Sequence, residues 1–139
     1  MRGTLFILAV ATLAAAGCGG DRSQAEFGEL VPVSGVVTRG GAPANGGVVE
    51  FVPDPNKDEF MINAEVGSDG RFSLTTVRTT DTKGERKNGL APGKYRVVYR
   101  PPLSEQALGA PPETVELAAP VTVAKADSDL KITLPARKK

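Results

Sequence analysis

Residues 33–53 constrain the fold most, because two β-branched runs flank a centre that is dense in glycine, proline and asparagine. The flanking runs, Val36-Val37-Thr38 and Val48-Val49, favour extended strands. The residues between them are the ones that tight turns require. This pattern predicts a strand, a turn and a returning strand. The later sequence repeats short alternating runs separated by Gly or Pro, so we expect an all-β domain.

The composition favours short strands over long helices. The chain of 139 residues contains 16 Gly and 11 Pro, which cost a helix interior about 1 and 3 kcal/mol each, respectively. Its length suffices for one domain with a single core. The 17 basic and 16 acidic residues give a net charge of +1, so no broad field can hold a polyanion and we expect no nucleic-acid partner. The chain also lacks His, the commonest general base and metal ligand.

Residues 1–17 have the pattern of a secretory signal peptide. Arg2 precedes an apolar run at residues 5–16, which is shorter than the roughly 20 residues that span a bilayer. The run ends in Ala15-Ala16-Gly17-Cys18, which resembles the cleavage box of bacterial lipoproteins. The resemblance implies that Cys18 becomes the mature N-terminus and carries acyl chains. The alternative is ordinary signal-peptide cleavage, which removes Cys18 or leaves it as a spare thiol.

Lipidation would also explain the cysteine count, because a single Cys in an exported chain has no disulfide partner in an oxidising compartment. Acyl chains bind membranes with about 0.8 kcal/mol per buried CH₂. Residues 18–29 are polar and aperiodic, which predicts a flexible tether, and residues 136–139 are expected to form a basic, solvated tail. The predicted location is the cell envelope, on a membrane.

Seven strands are predicted within the domain at residues 30–135. They cover about residues 30–38, 46–53, 60–66, 71–77, 94–100, 113–123 and 129–134. Their spacing and mostly antiparallel connections predict a seven-stranded antiparallel β-sandwich of the Ig-like, Greek-key kind. Residues 78–88 lack large apolar side chains and are expected to form a mobile loop. No partner strand is predicted for residues 113–124.

Four segments together resemble the carboxypeptidase regulatory-like domain, a transthyretin-like (prealbumin-like) sandwich found in small bacterial surface lipoproteins. The segments are residues 33–37, 41–53, 68–74 and 89–98. The resemblance implies that Pro43 belongs to the first hairpin turn, that Asp69-Gly70 opens a core strand, and that Pro92-Gly93 leads into another. A branch of this fold hydrolyses a purine-derived ring with His, Arg and a C-terminal Tyr-Arg-Gly-Ser motif, and this chain lacks both the His and the motif.

These turn and core positions also have mechanical explanations. Gly35 lies inside a strand, which indicates a β-bulge, a close backbone approach, or simple tolerance of glycine. Asp69-Gly70 is a strong hairpin dipeptide, because both residue types tolerate positive φ. Phe72 and Tyr95 are expected to fill the space between the sheets. The predicted turn and core residues are Gly35, Pro43, Gly46, Phe51, Asp69, Gly70, Phe72, Pro92, Gly93 and Tyr95.

Two polar patterns allow both a functional and a structural interpretation. Asp54, Asn56 and Asp58 match the first half of a calcium loop, but the Gly at position six and the Glu at position twelve are missing, so we expect a solvated acidic turn and no metal. Alternating cations on one strand are typical of a solvated face, with a phosphate or acidic-glycan site as the alternative. These cations are Lys94, Arg96 and Arg100.

The sequence therefore predicts a non-enzymatic, membrane-anchored envelope module that uses no cofactor and contacts other envelope proteins. The expected contact surfaces are the sheet edges and the loops at residues 53–59 and 78–88. The alternative is a small-ligand or carbohydrate-binding protein, although 5% aromatic residues and no Trp leave few platforms for stacking sugars. No catalytic residue is predicted, since no Ser–Lys or paired-carboxylate set stands in a recognisable motif. Nothing in the sequence specifies an oligomeric state.

Overall fold

A computed structural model describes residues 26–56, 58–80, 82–103, 109 and 113–136. The predicted signal peptide, Cys18, residues 18–25 of the tether and residues 137–139 of the tail lie outside the described residues. The described residues form β1 (Val33–Arg39), β2 (Ala42–Pro43), β3 (Val48–Pro53), β4 (Phe60–Glu65), β5 (Arg71–Ser73), β6 (Thr75–Arg78), β7 (Arg86–Asn88), β8 (Gly93–Arg100), β9 (Val115–Glu116), β10 (Val121–Val123) and β11 (Asp127–Leu134). No helix in this part of the chain is long and apolar enough to cross a membrane.

The strands form two sheets that enclose a common core, which confirms the prediction of an all-β sandwich. The smaller sheet has four strands in the order β11-β1-β2, and β5 also pairs with β1. The larger sheet has seven strands in the order β10-β8-β3-β4-β6-β7, and β9 also pairs with β8. The larger sheet is antiparallel throughout, whereas β1 and β11 run parallel in the smaller one.

The strand predicted at residues 71–77 is two strands that belong to different sheets. β5 pairs with β1 in the smaller sheet, and β6 pairs with β4 in the larger sheet. The chain crosses between the layers at Leu74, whose side chain is 1% exposed. The Leu74 N–H donates to the Val33 carbonyl at 2.9 Å, and the Leu74 carbonyl accepts from the Gly89 N–H at 2.9 Å. The sequence pattern does not reveal this crossing, because buried and exposed side chains continue to alternate with a period of two residues through Leu74.

Two further segments differ from the prediction. The prediction of a loop over residues 78–88 is wrong at its C-terminal end, where β7 pairs with β6. The three β7 side chains are all exposed, so no apolar periodicity marks this strand. Residues 113–123 form two short strands rather than one, β9 and β10, and both pair with β8. These pairings place the segment at the β8 edge of the larger sheet.

The core lies between the two sheets and is built from the inward-facing side chains of their strands. Each fully buried Val, Leu, Ile or Phe side chain contributes about 1.5 to 3 kcal/mol to the stability of the fold. Three aromatic rings meet in it: the Phe51 ring centroid lies 6.5 Å from that of Phe72 and 6.0 Å from that of Tyr95. Other buried members include Val33, Val37, Val49, Ile62, Leu74, Leu90, Val97, Ile132 and Leu134.

Gly35 marks the closest backbone approach between β1 and β11. The register of the two strands shifts between Val33 and Gly35. A Cβ atom on Gly35 would lie 1.9 Å from the carbonyl oxygen of Leu130. Since this neighbour is backbone, it cannot rotate away as a side chain would. The parallel pairing of β1 with β11 therefore depends on the absence of a side chain at this position.

Gly35→Ala is expected to destabilise the fold by at least about 2 kcal/mol, because the added methyl must push the two strands apart. The change in free energy of unfolding is measured by urea denaturation. Gly93→Ala is the matched control, since its Cβ would lie 3.9 Å from the nearest atom, an ordinary contact that we expect to change stability by less than about 1 kcal/mol. Equal stability of the two variants would contradict the assigned role of Gly35.

Candidate functional site

The N-terminal segment, residues 26–31, lies against the β4–β6–β7 edge of the larger sheet. Phe27 is 7% exposed, and its ring centroid lies 5.4 Å from that of Phe60 on β4. The guanidinium of Arg78 lies 4.6 Å from the Phe27 ring centroid, and the ammonium of Lys87 lies 4.7 Å from it. Each such cation–π contact contributes about 0.5 to 1 kcal/mol at a partly exposed site. Phe27, a residue of the predicted tether, thus packs against the domain.

Backbone hydrogen bonds hold the other end of this segment. Val31 forms an antiparallel bridge with Leu90. The Val31 N–H donates to the Leu90 carbonyl at 2.9 Å, and the Leu90 N–H donates to the Val31 carbonyl at 3.1 Å. The N-terminal segment is therefore fixed at two points, a ring at Phe27 and a pair of hydrogen bonds at Val31.

A cavity of about 350 Å³ opens between this segment, the β3–β4 loop and the turn before β8. We name it the end pocket, because it lies where β3 ends and β8 begins. Its volume is within the range of about 300 to 1,000 Å³ that small-molecule sites occupy. Its wall is mainly apolar and includes Phe27, Leu30, Pro53, Pro55, Phe60 and Pro92.

Two hydroxyl groups line the end pocket, and the backbone orients both. Tyr95, on β8, donates its hydroxyl proton to the Ala91 carbonyl. Thr76, on β6, is 3% exposed and donates to the Gly89 carbonyl at 2.7 Å. Burial raises the pKa of the Tyr95 phenol above its ordinary value of 10.0, because the site disfavours a charge. Both hydroxyls are held by backbone carbonyls rather than by a side-chain base, so neither is activated as a nucleophile.

Charged side chains surround the mouth of the end pocket. Glu26 comes from the N-terminal segment, Asp54 from the β3–β4 loop, and Lys94 from β8. All three are exposed. The Asp54 N–H donates to the Lys94 carbonyl at 2.9 Å, which fixes the loop against β8. The mouth is therefore polar while the wall behind it is apolar, as in many ligand pockets.

The acidic turn at residues 54–58 uses its polar groups internally. The Asn56 Nδ2 donates to the Asp58 Oδ1 at 3.0 Å, and the Thr79 hydroxyl donates to the Asp58 carbonyl at 2.5 Å. Asp54 instead lines the end pocket. The described part of the chain contains no group of three or more His, Cys, Asp or Glu arranged to hold a metal ion. The three calcium-loop positions thus do not converge on one point.

The alternating cations of β8 lie on the outer face of the larger sheet. Arg96 Nη1 lies 3.4 Å from Glu116 Oε1, and Arg100 Nη1 lies 2.8 Å from Glu50 Oε2. The side chains of both arginines are about half exposed, at 51% and 55%. Neighbouring carboxylates neutralise these two cations, so the row does not form a concentrated anion site.

The predicted turn and core residues lie in three places: at the end pocket, in the core, and at the opposite end of the sandwich. Pro92, Gly93 and Tyr95 line the end pocket, and Phe51 and Phe72 lie in the core between the ends. The remaining turn positions lie away from the pocket, at the opposite ends of β3 and β8. There the Gly46 carbonyl accepts from the Tyr99 hydroxyl at 2.8 Å, the Asp69 Oδ1 accepts from the Arg71 N–H at 3.1 Å, Gly70 has φ of +79°, and Pro43 pairs with Thr38.

The scans against family models, curated proteins and solved structures found no match to this chain. We therefore interpret the end pocket from its geometry. The residues that sequence reasoning missed there are Phe27 and Thr76. Phe27 is an isolated aromatic residue in a polar stretch, and Thr76 is a hydroxyl residue in a run of alternating apolar and polar side chains. The one sequence signal for Phe27 was that a large apolar side chain is out of place in a solvated tether.

Phe27→Ala should free the N-terminal segment, because it removes the ring that packs on Phe60 and its two cation–π contacts. We expect hydrogen exchange at the Val31 amide to accelerate about tenfold or more, since the lost packing and cation–π terms together exceed about 1.4 kcal/mol. Leu103→Ala is the control, because that side chain is 83% exposed. Unchanged exchange at Val31 in Phe27→Ala would show that the ring does not hold the segment.

Tyr95→Phe should remove part of the loss of stability at high pH. Burial raises the pKa of Tyr95 in the folded state above that in the unfolded state. The contribution of the neutral phenol to the free energy of unfolding is therefore fully present below about pH 10, and it is lost as the pH rises through the pKa of the folded state. Below pH 10 the variant should be less stable by about 0.5 to 1.5 kcal/mol, for the lost hydrogen bond. This deficit should shrink as the pH rises above 10.

The free energy of unfolding of each protein is measured by urea denaturation from pH 8 to 11. Tyr99→Phe is the control, because its hydroxyl donates to the Gly46 carbonyl far from the end pocket. A deficit in Tyr95→Phe that stays constant with pH would contradict the assignment.

Proposed function

We propose that this protein is a non-enzymatic binding module of the cell envelope, anchored to a membrane by a lipid on Cys18. It takes an apolar group of another envelope protein into the end pocket. The end pocket is the observation that carries this proposal: a concave, mainly apolar cavity of about 350 Å³ at one end of the sandwich. Loops and chain ends that a packed scaffold positions are the usual binding surfaces of such folds.

The position of the end pocket suits a partner on the same membrane. One side of the pocket is formed by residues at the C-terminal end of the predicted tether and just after it, namely Glu26, Phe27, Gly28 and Leu30. The eight residues between Cys18 and Phe27 would reach a root-mean-square distance of about 14 to 17 Å as a flexible chain. A protein bound in the pocket would then lie close to the membrane surface.

The transthyretin-like assignment belongs to the same proposal. It is supported by the order of the turns along the chain and by the two packed sheets around the Phe51–Phe72–Tyr95 ring cluster. In this assignment the sandwich is a scaffold, and the end pocket and its loops are specific to this chain.

A second candidate function is the binding of a free small molecule in the same pocket. The volume of the cavity allows it, because about 350 Å³ lies within the range of about 300 to 1,000 Å³ for small-ligand sites. A protein partner would leave its contact on the rim as well as in the pocket, whereas a small ligand would fill the pocket alone.

Site-specific photo-crosslinking in the intact envelope tests the proposal. A benzophenone side chain replaces Lys94 at the pocket rim or, as the matched control, Lys131, an exposed residue of β11 in the other sheet. We expect one envelope protein to be captured from position 94 and not from position 131. Ala91→Phe, which fills the pocket, should abolish this capture without lowering the melting temperature by more than a few degrees.

Equal capture from positions 94 and 131, or capture that persists in Ala91→Phe, would overturn the role of the end pocket. A small molecule that co-purifies with the protein and is absent from Ala91→Phe, together with no protein captured at position 94, would favour the second candidate.

A further inference from the structure

The described loop beside the end pocket offers hydrogen-bond acceptors rather than donors. Pro53 and Pro55 have no backbone N–H. The N–H of Asp54, between them, already donates to the Lys94 carbonyl at 2.9 Å. The loop can therefore present to the pocket only carbonyl oxygens and the Asp54 carboxylate. Pro92, which lines the pocket from the turn before β8, likewise has no N–H to donate.

The two hydroxyls of the wall are also limited to accepting. Each hydroxyl has one proton to donate. Tyr95 has committed its proton to the Ala91 carbonyl, and Thr76 has committed its proton to the Gly89 carbonyl. What Tyr95 and Thr76 can still offer a ligand is an oxygen lone pair.

The charges and rings of the end pocket favour a positive ligand as well. Among the residues that line the end pocket are two with carboxylates, Glu26 and Asp54, and one with an ammonium, Lys94. Lys94 stands at the rim of the pocket, so the carboxylates of the lining outnumber its ammonium by two to one. The rings of Phe60 and Tyr95 lie in the wall, and the face of an aromatic ring attracts cations.

We propose that the end pocket binds an organic ammonium group carried on an apolar stem. The stem occupies the apolar wall, and the ammonium donates to the acceptors of Asp54, Glu26 and the wall hydroxyls. This inference rests on the proposed function and names the chemistry of the group that enters the pocket. A ligand ending in a carboxylate, a phosphate or a ketone would meet an excess of lone pairs and two carboxylates there, against the single ammonium of Lys94 at the rim. The ammonium comes from a lysine side chain of a partner protein or from a free amine.

Three isosteric probes separate the charge of the head group from the apolar stem. They are 3-phenylpropylammonium, 3-phenylpropanol and 3-phenylpropionate, titrated into the purified full chain and followed by amide chemical shifts at Thr76 and Tyr95. We expect the ammonium to bind at least about fivefold more tightly than the alcohol, and the carboxylate to bind most weakly, since like charges repel. Added salt should narrow the difference between the ammonium and the alcohol.

Variants of the two carboxylates test where the ammonium sits. Asp54→Asn and Glu26→Gln should each weaken ammonium binding by about two- to fivefold, the range of exposed charge pairs, and leave alcohol binding unchanged. Together they should make the ammonium and the alcohol nearly equal. Asp58→Asn is the matched control, because it lies in the same loop with its carboxylate bound to Asn56 outside the end pocket. It should change no affinity.

Equal binding of the three probes, tighter binding of the carboxylate, or no effect of the two pocket variants would overturn the inference. If position 94 captures a partner but the ammonium has no preference, the proposed function stands and this inference fails. If the ammonium is preferred but no partner is captured, the ligand chemistry stands and the protein-docking role fails. Acetylation of the partner's lysines shows where the ammonium comes from. If acetylation abolishes photo-crosslinking from position 94, the ammonium belongs to the partner; if crosslinking is unchanged, the ammonium belongs to a free amine.

Discussion

The crossing of the chain at Leu74 determines how the rest of the molecule is arranged. A single buried residue donates its N–H to Val33 in the smaller sheet and accepts at its carbonyl from Gly89, which precedes β8 of the larger sheet. These two hydrogen bonds satisfy the backbone where the chain leaves one layer for the other, at a site where an unpaired group would be costly. They also place β5 in the smaller sheet and β6 in the larger sheet. The two layers are thereby joined by backbone hydrogen bonds as well as by side-chain packing.

This crossing also creates the end pocket. Because β6 joins the larger sheet and carries β7 with it, that sheet has seven strands against four in the smaller one. Part of its inner face near β4, β6 and β7 must then be covered by something other than a strand. Residues 26–31 provide that cover through Phe27 and the Val31–Leu90 bridge. This segment contacts the sheet through one aromatic ring and one β-bridge, so it fills the space over the inner face less completely than a strand pair would. The cavity beside Phe27 is the part that stays unfilled.

The alternation of apolar residues was enough to predict the two sheets and most of the core. Val33, Val37 and Ile132 were predictable because each faces inward in a regular strand. Alternation could not predict the crossing at Leu74, since its buried side chain keeps the period of two while the hydrogen-bond partners change sheet. It could not predict β7, whose side chains are all exposed and whose existence depends on backbone pairing with β6. The site was less predictable than the fold, because the end pocket depends on the packing of Phe27 against residues far along the chain.

The chemistry of the end pocket follows from the same residues that end the strands around it. Pro53 is the last residue of β3, and its missing N–H interrupts the ladder there; Asp54 then donates to the Lys94 carbonyl and holds the loop against β8. The end of the strand thus lacks a donor at Pro53, and the donor of Asp54 is occupied in fixing the loop. Tyr95 and Thr76 likewise donate their hydroxyl protons to the Ala91 and Gly89 carbonyls of the turn that leads into β8. Prolines and satisfied turns at the end of the sandwich therefore agree with the proposed ligand, an ammonium that brings its own donors.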